Sequence, residues 1–518
     1  ALAKMRPAGN IAFGAGPALA LASASMEQEP VTTTEPEGAA PAGVIRSGRL
    51  AGRSLTSAIL VLALPVFLDQ LLSATVGLVD KILTGALPAA ATASLDGVGT
   101  GSYVGWFLGI AISSVGIGSL AIIARALGRG DVREADHGLG QALVAAVGWG
   151  VLLFVLLQTG APLLARVSSL SPEASDACIV YVRAMSFGAP FFSVLLVGIM
   201  SLHGAGEAVR PFLVMLFVNT VNIVTSWLLS GSIVHVFGQT LVSPGHLGVQ
   251  GIGLGTAIGH ATGAIAILIL LARGVKDLRL QRWALRPEGP MMSRIIRVGT
   301  PAFLDGMGMW SGNIIVIGIV GKIALQEAAH SDAIAGATKV GLIGAHIIGV
   351  QWEALSFLPG FAMGTAAAAL VGQFLGAGNP RMATRAALAC FGIAAIFMAS
   401  AGVVFFFGGE FLTRQISRAP LHLAVVPKLL KICAVVQINF GLAMVMREAL
   451  RGAGDTRWAM AINWFSTYAL RVPFVYWVGY HLGHGLVGVW FVLCGEIVAR
   501  SLLYLARFWQ GGWKRIEV

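Results

Sequence analysis

The sequence has little charge and little cysteine. Of its 518 residues only 11% are Asp, Glu, Lys or Arg, whereas a soluble domain has about 25%. The four cysteines are Cys178, Cys390, Cys433 and Cys494. Because they lie in apolar stretches without paired spacing, we expect no disulfide framework and no metal site, only small buried hydrophobes. No GxxxxGKS/T loop occurs, and the glycines of 251–255 follow no strand, so ATP hydrolysis and nucleotide cofactors are excluded.

Long apolar runs fill most of the chain instead. Hydrophobic residues make up 56% of it, and a membrane helix needs about 20 mostly apolar residues. Twelve runs meet this length, at roughly 56–84, 98–126, 137–165, 176–202, 211–235, 249–272, 297–321, 342–374, 386–408, 426–450, 459–480 and 487–507. The sequence therefore predicts an all-α polytopic protein with twelve transmembrane helices.

The net charge of +11 is spread over the loops between these runs. Lys and Arg are about three times as frequent on the side that would carry the N-terminus, which is typical of cytoplasmic loops. We therefore predict a multi-pass protein in a lipid bilayer with both termini cytoplasmic. Because the charge is dispersed, no nucleic-acid partner is expected.

The first residues differ in composition from the rest. Residues 1–48 are rich in Ala, Pro, Glu and Thr and are expected to be disordered. The weakly apolar run after Lys4 and Arg6 loosely resembles a signal peptide. We do not interpret it as one, because cleavage would reverse the topology that the charges predict. Met26 is an alternative start of the native chain, which would leave residues 1–25 outside it.

A basic connector at 273–297 divides the chain into an N-lobe, 49–272, and a C-lobe, 298–518, of six helices each. The lobes repeat three motifs: PVFLD at Pro65–Asp69 and PAFLD at Pro301–Asp305, LGRGD at Leu127–Asp131 and LGAGN at Leu375–Asn379, and LHGAGEAVR at Leu202–Arg210 and LRGAGDTRW at Leu450–Trp458. The last two pairs share an offset of 248 residues and the first has 236. Internal repeats of this kind are typical of secondary transporters with a substrate site between the halves.

The first apolar run carries Asp69, Gln70, Asp80 and Lys81. A charged side chain at mid-membrane costs about 2.5–3.5 kcal/mol even on the insertion scale. The two aspartates lie three helical turns apart, so they share one face and are separated by ~16 Å along the axis. We expect that face to line an interior and not to contact lipid.

The order of the motifs resembles the multidrug and toxic compound extrusion (MATE) family. The resemblance covers roughly residues 55–515 and rests on Pro65 with Asp80, LGRGD, LHGAGEAVRP, NIV at Asn222–Val224, GVQGIGLGT at Gly248–Thr256, the stretch Phe357–Pro380, LRGAGDT and RVP at Arg471–Pro473. It implies two six-helix lobes around a central cavity, a place in the plasma membrane (the bacterial inner membrane) and cation-coupled antiport of bulky amphipathic compounds. We expect a monomer.

The resemblance also implies a cation site in the N-lobe. By position its residues are Asp80, Asn222, Ser226 and Thr256. Ser226 departs from the family, which has a carboxylate there, and hard cations prefer several oxygen ligands with compensating charge. A Na⁺ site at Asp80, Asn222 and Thr256 stays open, but we favour H⁺ as the coupling ion because proton coupling needs a single carboxylate. No other cofactor is expected.

The candidates for the substrate cavity are Asp69, Gln70, Asp305, Asn313 and Glu353. Asp305 is the repeat twin of Asp69, whereas Asp80 has Val316 at its equivalent place, which favours one coupling carboxylate in the N-lobe. The alternatives are a buried Asp69 beside the turn distorted by Pro65 and a hydrated Glu353 near the outer surface.

Other polar residues in the spans have structural interpretations. Arg447 with Glu448 is interpreted as a gate or snorkelling pair, and Glu496 with Arg500 as an ion pair one helical turn apart. His260, Asn219, Gln437 and Asn439 are interpreted as hydrogen-bond partners between helices.

The sequence thus predicts a secondary active efflux transporter for amphipathic, cationic drugs or other xenobiotics or metabolites, and no enzyme. The alternative is a lipid-linked oligosaccharide flippase of the same superfamily. A flippase would need a basic cavity for pyrophosphate, whereas Asp69, Asp305 and Glu353 are acidic. A channel or purely structural role fits poorly with a repeat that contains Pro- and Gly-broken helices.

Overall fold

The computed structural model describes residues 54–88, 91–167, 172–236, 239–329, 342–417 and 419–516. The segment predicted to be disordered, 1–48, lies outside the described residues. Almost all of the described chain is helical, as the long apolar runs predicted.

Seven helices form the N-terminal half. They are α1 (Leu55–Gly85), α2 (Ala91–Gly128), α3 (Val132–Val167), α4 (Pro172–Ser186), α5 (Ala189–Gly204), α6 (Val209–Ser230) and α7 (Gly248–Arg273). Helices α4 and α5 are one predicted span bent by 54°. The break precedes Pro190, which has no N–H to donate, and Gly188 at the break lies against the Ala257 backbone of α7.

Seven helices also form the C-terminal half. They are α8 (Gly289–Ala329), α9 (Leu342–Gly376), α10 (Pro380–Ile416), α11 (Pro420–Val435), α12 (Gln437–Gly452), α13 (Thr456–Trp464) and α14 (Gly485–Gln510). Helices α11 and α12 form a second bent span, with an angle of 55°. Helix α13 runs on without a break as a π-helix over Phe465–Arg471, an α-helical turn at Val472–Phe474 and a second π-helix over Val475–His481.

Within the described residues, nine helices are long and apolar enough to cross a membrane, and the two bent pairs bring the number to eleven. The helix that starts with α13 and ends at His481 lies where the sequence predicted the remaining span. The helices are therefore consistent with twelve spans.

A β-hairpin between α6 and α7 was not predicted. Strands β1 (Ile233–Val236) and β2 (Gln239–Val242) pair antiparallel, with Ile233 opposite Val242. The predicted fifth span continued to residue 235, but α6 ends at Ser230 because Gly231 takes a left-handed conformation with φ 77°. A glycine there ends the helix without steric cost.

The basic connector between the halves is held against α3. The Gln141 amide donates to the carbonyl oxygens of Ala284, at 2.7 Å, and Arg286, at 2.6 Å. The backbone N–H of Arg279 donates to Asp136 Oδ1 at 2.7 Å. Helix α8 begins at Gly289, so the last part of the predicted connector is helical.

The two halves meet along the part of the bundle near the predicted cytoplasmic side. On α2, a Cβ at Gly118 would lie 2.6 Å from the Ile295 carbonyl oxygen of α8. The first half of α1, from Ala58 to Val66, shares an apolar core with α9, α10 and α12. Farther along, Gly101 of α2 packs on Tyr181, and Gly312 of α8 packs on Thr467, so each of these glycines contacts its own half.

Candidate functional site

Asp80 lies on α1, in the N-terminal half, and only 7% of it is exposed. Its Oδ1 atom is buried and has no hydrogen-bond partner among the described residues. The neighbouring Lys81 is exposed and adjacent residues on a helix do not face each other. No described residue neutralises the charge of the Asp80 carboxylate. A buried acid without a counter-charge is suited to bind a proton or a cation.

Tyr181 of α4 joins this site, and the sequence did not single it out. Its side chain is 3% exposed, hydrogen-bonds to Ser102 of α2 and lies within electrostatic range of Asp80. The Tyr181 backbone also packs on Gly253 of α7, where a Cβ would lie 2.9 Å from its carbonyl oxygen. A single Tyr in an otherwise apolar span gives no pattern from which this contact could be predicted.

Helices α6 and α7 bring the other three implied cation-site residues together. The Asn222 amide donates to Thr256 Oγ1 at 3.1 Å. The hydroxyls of Ser226 and Thr256 both donate to the Ile252 carbonyl oxygen, at 3.2 Å and 3.3 Å. The helices can approach this closely because residue 255 is glycine, where a Cβ would lie 2.2 Å from Ser226 Oγ.

Two oxygens of this cluster have no donor. Besides Asp80 Oδ1, Asn222 Oδ1 is buried without a partner among the described residues. The Ser226 hydroxyl donates to a backbone carbonyl and the Thr256 oxygen accepts one hydrogen bond, so each oxygen keeps a lone pair. The four implied residues thus include a single carboxylate, whereas hard cations take several oxygen ligands and charged ligands raise their affinity.

Asp69 and Gln70 lie on the same helix but at another level. Both are half-buried, and Asp69 Oδ1 has no hydrogen-bond partner among the described residues. They follow Pro65, which lies inside α1 and leaves a carbonyl without its helical donor. The ~16 Å rise along α1 separates Asp69 from Asp80, so the structure does not bring the two aspartates into one shell.

Asp305, the twin of Asp69, has a different environment. It is fully buried in α8 and forms a salt bridge with Arg451 of α12. Arg451 also binds Glu448 at 2.7 Å, and Glu448 lies 3.3 Å from Arg447 Nε. The Asp305 carboxylate is therefore neutralised in this conformation, and its predicted role in the cavity remains a prediction.

A second charged network crosses the C-terminal half. Arg471 donates to Asn313 Oδ1 on α8 at 2.8 Å and to Glu496 Oε2 on α14 at 2.8 Å. Arg500 binds the other oxygen of Glu496 at 2.7 Å, which confirms the predicted ion pair within α14. Glu353 of α9 is half-buried and within electrostatic range of Arg471. The sequence had placed Asn313 and Glu353 as cavity residues and had not connected either with Arg471.

Comparisons with known proteins agree with this architecture. The family model MatE matches residues 65–228 and 334–477. The chain is 25% identical over 457 residues to a probable multidrug resistance protein NorM of Thermotoga maritima, covering 88% of this chain and 93% of the relative. It is 27% identical over 459 residues to a multidrug resistance protein NorM of Burkholderia vietnamiensis, covering 86% and 92%.

Solved structures match over nearly the same extent. An outward-facing multidrug resistance MATE family transporter of the MOP superfamily superposes with a TM-score of 0.77, at 20% identity, covering 89% of this chain and 97% of the other. A MATE in complex with MaL6 gives a TM-score of 0.76, at 20% identity, covering 89% and 98%. These similarities show that the chain has the fold of these transporters.

Proposed function

The chain belongs to the MatE family, and from that premise we propose that it is a secondary active efflux transporter. It expels bulky amphipathic compounds across the plasma membrane in exchange for an incoming cation, with both termini in the cytoplasm. The relatives named as multidrug resistance proteins support this proposal. Residues 49–272 and 298–518 act as its two lobes, connected by 273–297.

The observation that carries the proposal is the buried Asp80 carboxylate with its unpartnered oxygen. A charge in the membrane interior is costly, so such residues mark ion or proton pathways. Asp80 lies within electrostatic range of Tyr181 on α4, and Tyr181 packs on Gly101 of α2 and Gly253 of α7, so a change in the charge of Asp80 acts on the helices that meet at Tyr181. Occupation of Asp80 by a cation therefore alters how α1 packs.

The coupling ion in this proposal is H⁺. Asp80 and Asn222 supply two oxygens without a hydrogen-bond partner among the described residues, and Ser226 has no charge to add. A Na⁺ ion would be left with few ligands, whereas protonation of Asp80 needs no further ligand. The Asn222–Thr256 hydrogen bond then serves to hold α6 against α7.

Transport proceeds by alternating access of the two lobes. Protonation of Asp80 removes a buried charge, allows α1 to repack around Pro65 and favours substrate release on the outer side. In the inward-facing state the proton leaves and substrate binds again. Because proton and substrate bias the same two states in opposite directions, the gradient of one drives the other.

The substrate binds between the lobes in this proposal. Asp69 and Gln70 on α1 and Glu353 on α9 are half-buried polar side chains, and Trp352 next to Glu353 offers an aromatic face. Acidic and aromatic groups attract organic cations. Substrates are therefore amphipathic and cationic.

A lipid-linked oligosaccharide flippase would need unneutralised basic residues for a pyrophosphate. The buried arginines Arg451, Arg471 and Arg500 are each paired with an acid. The pairing of these arginines thus supports the efflux hypothesis better than the flippase hypothesis.

The test is ethidium efflux from proteoliposomes under a pH gradient or a Na⁺ gradient imposed separately. We expect efflux with the pH gradient, and Asp80→Asn to insert and fold but to lose gradient-driven efflux by at least about ten-fold, as expected for loss of a coupling free energy above ~1.4 kcal/mol. Asp176→Asn, an exposed acid on α4, is the matched control and should transport normally. Full efflux by Asp80→Asn would refute the assignment, and efflux under neither gradient would refute the transport proposal itself.

A further inference from the structure

Two of the three repeated motif pairs have no part in the site described above: LGRGD with LGAGN, and LHGAGEAVR with LRGAGDTRW. They lie where α2, α9, α5 and α12 end on the predicted cytoplasmic side, and each of these four helices ends in the same kind of turn. Its glycine has positive φ: Gly130 81°, Gly206 73°, Gly378 69° and Gly454 83°. The next residue donates its N–H to the carbonyl five residues back, as from Asp131 to Ala126 at 2.9 Å and from Asn379 to Phe374 at 2.8 Å. Such turns satisfy the last helical carbonyls.

The turns of the two halves face each other. A Cβ at Gly128 of α2 would lie 2.1 Å from the Gln373 carbonyl oxygen of α9. Reciprocally, a Cβ at Gly376 of α9 would lie 2.2 Å from the Arg125 carbonyl oxygen of α2. Gly128 and Gly376 are repeat partners with the 248-residue offset, so the two helix ends meet backbone to backbone about a local two-fold axis.

The same symmetry governs the packing inside each half. Gly204 of α5 lies against the Leu120 carbonyl oxygen of α2, where a Cβ would be 2.7 Å away. Its repeat partner Gly452 of α12 lies against the Ala368 carbonyl oxygen of α9, with a Cβ distance of 2.2 Å. We call the four helix ends at residues 120–131, 200–208, 368–379 and 448–456 the gate.

Two hydrogen bonds cross the gate between the halves. The Gln373 amide donates to the Gly204 carbonyl oxygen at 3.0 Å. In the other half, Arg125, the repeat partner of Gln373, donates from Nη2 to the carbonyl oxygen of Ala453, one residue after the equivalent of Gly204, at 2.8 Å. Each half therefore caps the turn of the other, and opening this side requires both bonds to break.

The symmetry fails at one point. Arg125 stands where the other half has Gln373, and its longer side chain has a further donor, Nη1, which binds the Ile516 carbonyl oxygen. Ile516 ends the short turn Gly512–Arg515 that follows α14. Arg125 therefore connects the N-terminal half with a segment that belongs to the C-terminal half.

That segment is anchored firmly. Trp513 is fully buried and stacks on Phe508 with ring centroids 4.9 Å apart. Its indole N–H donates to the Phe508 carbonyl oxygen at 2.8 Å. Just before it, Arg507 binds Asp455 of the gate at 2.8 Å and lies 4.8 Å from the Trp458 ring. The segment is thus fixed to the C-terminal half on one side and to Arg125 on the other.

We propose that Gly511–Ile516 is a latch that holds the gate closed through Arg125. Arg125 binds Ala453 and Ile516 at once, so the gate turn and the latch are released together. In this proposal the latch binds the Arg125 guanidinium only while the gate is closed. A contact made in one state alone shifts the equilibrium between the closed and the open gate towards that state. This inference concerns which side is open and needs neither a given coupling ion nor a given substrate.

The test is hydrogen–deuterium exchange of the full chain in lipid nanodiscs, read in peptides covering residues 120–131 and 368–379. Arg125→Gln installs the side chain of the repeat partner, which reaches the gate turn but not the latch. We expect exchange at least about ten-fold faster in both peptides, the factor that corresponds to loss of a hydrogen bond to a charged group. Trp513→Ala, which releases the latch from the other side, should give the same change.

The double variant Arg125→Gln/Trp513→Ala should exchange no faster than either single variant, because both substitutions break the same connection between Arg125 and the latch. The control is Arg129→Gln, which removes an exposed arginine of the same turn that pairs with Glu134 and should leave exchange unchanged. Unchanged exchange in Arg125→Gln, or additive effects in the double variant, would overturn the proposal. If Trp513→Ala is not monodisperse, removal of residues 512–518 replaces it. Efflux activity does not enter this readout, so it is independent of the transport proposal.

Discussion

The two halves of the molecule treat their buried acids in opposite ways. In the N-terminal half, Asp69 and Asp80 form no salt bridge with any described residue, and each has a buried oxygen without a hydrogen-bond partner there. In the C-terminal half, Asp305 and Glu496 are bound by arginines. An acid that has a fixed counter-charge resists protonation, whereas an acid without one can change its charge during a cycle. The comparison therefore supports our proposal of ion coupling in the N-terminal half, and it indicates that the paired acids of the C-terminal half serve a structural role.

A single difference in the repeat accounts for part of this contrast. Asp69 and Asp305 occupy equivalent places, but the arginine that binds Asp305, Arg451, has His203 at its equivalent place 248 residues earlier. Arginine is always charged and binds carboxylates with two donors, whereas histidine need not carry charge. The repeat thus preserves the position of the acid but not the arginine that binds it.

The largest effect is expected from breaking the salt bridges of the C-terminal half. Glu496→Gln leaves Arg471 and Arg500 without their shared carboxylate, and loss of one partner of a buried pair costs about 3–5 kcal/mol. We therefore expect a clearly lower midpoint in thermal unfolding of the detergent-solubilised protein. Asp80→Asn leaves no described residue without a salt-bridge partner, so this variant should unfold close to the temperature of the original protein.

The control for this prediction is Glu410→Gln, which removes an exposed ion pair with Arg414 and should change stability by less than about 1 kcal/mol. Equal losses for Glu496→Gln and Asp80→Asn would contradict the contrast between the halves. The comparison would also fail if Asp80→Asn unfolded at the lower temperature of the two.

The sequence predicted the helices well and their irregularities poorly. Membrane spans follow from composition over about 20 residues, and each predicted run falls on a described helix. The bend before Pro190 and the π-helix that ends at Arg471 depend on contacts with other helices, such as that of Gly188 with α7. The hairpin after Gly231 is too short to give a hydropathy pattern.

The site was predictable where the residues lie close in sequence or match family motifs. Glu496 and Arg500 are one turn apart, so their pairing followed from helix geometry. The contact of Asn222 with Thr256 agrees with the cation site that the family resemblance implied. Asp305 and Arg451 lie 146 residues apart in the sequence and on different helices. Nothing in a single sequence specifies such a distant contact.

A smaller effect sharpens the choice of ion in the N-terminal half. Ser226→Asp places a second carboxylate one turn after Asn222, next to the open Asn222 oxygen. Two carboxylates and an amide oxygen make a better site for a hard cation. We expect a Na⁺ gradient, ineffective for the original protein, to drive ethidium efflux in this variant, with a Na⁺ preference raised by about five-fold or more.

The matched control for that experiment is Ser230→Asp, which adds the same charge one further turn along α6. It should not confer Na⁺-driven efflux, because Ser230 bonds with Ser232 at the end of the helix and is remote from Asn222. Strong Na⁺-driven efflux by the original protein would show that Ser226 does not decide the ion.

The smallest effect concerns Asp69, whose charge attracts substrate in our proposal. It is half-buried, so an organic cation several ångströms away in a partly hydrated cavity gains only about 1–1.4 kcal/mol from it. Asp69→Asn should therefore raise the KM for ethidium by about five- to ten-fold and leave efflux of an uncharged amphipathic dye unchanged. The pH-gradient dependence should remain, because Asp80 is intact. Gln70→Asn, a neutral change at the next residue, should affect neither dye, whereas an equal loss for both dyes with Asp69→Asn would mean that Asp69 supports the helix and does not attract charge.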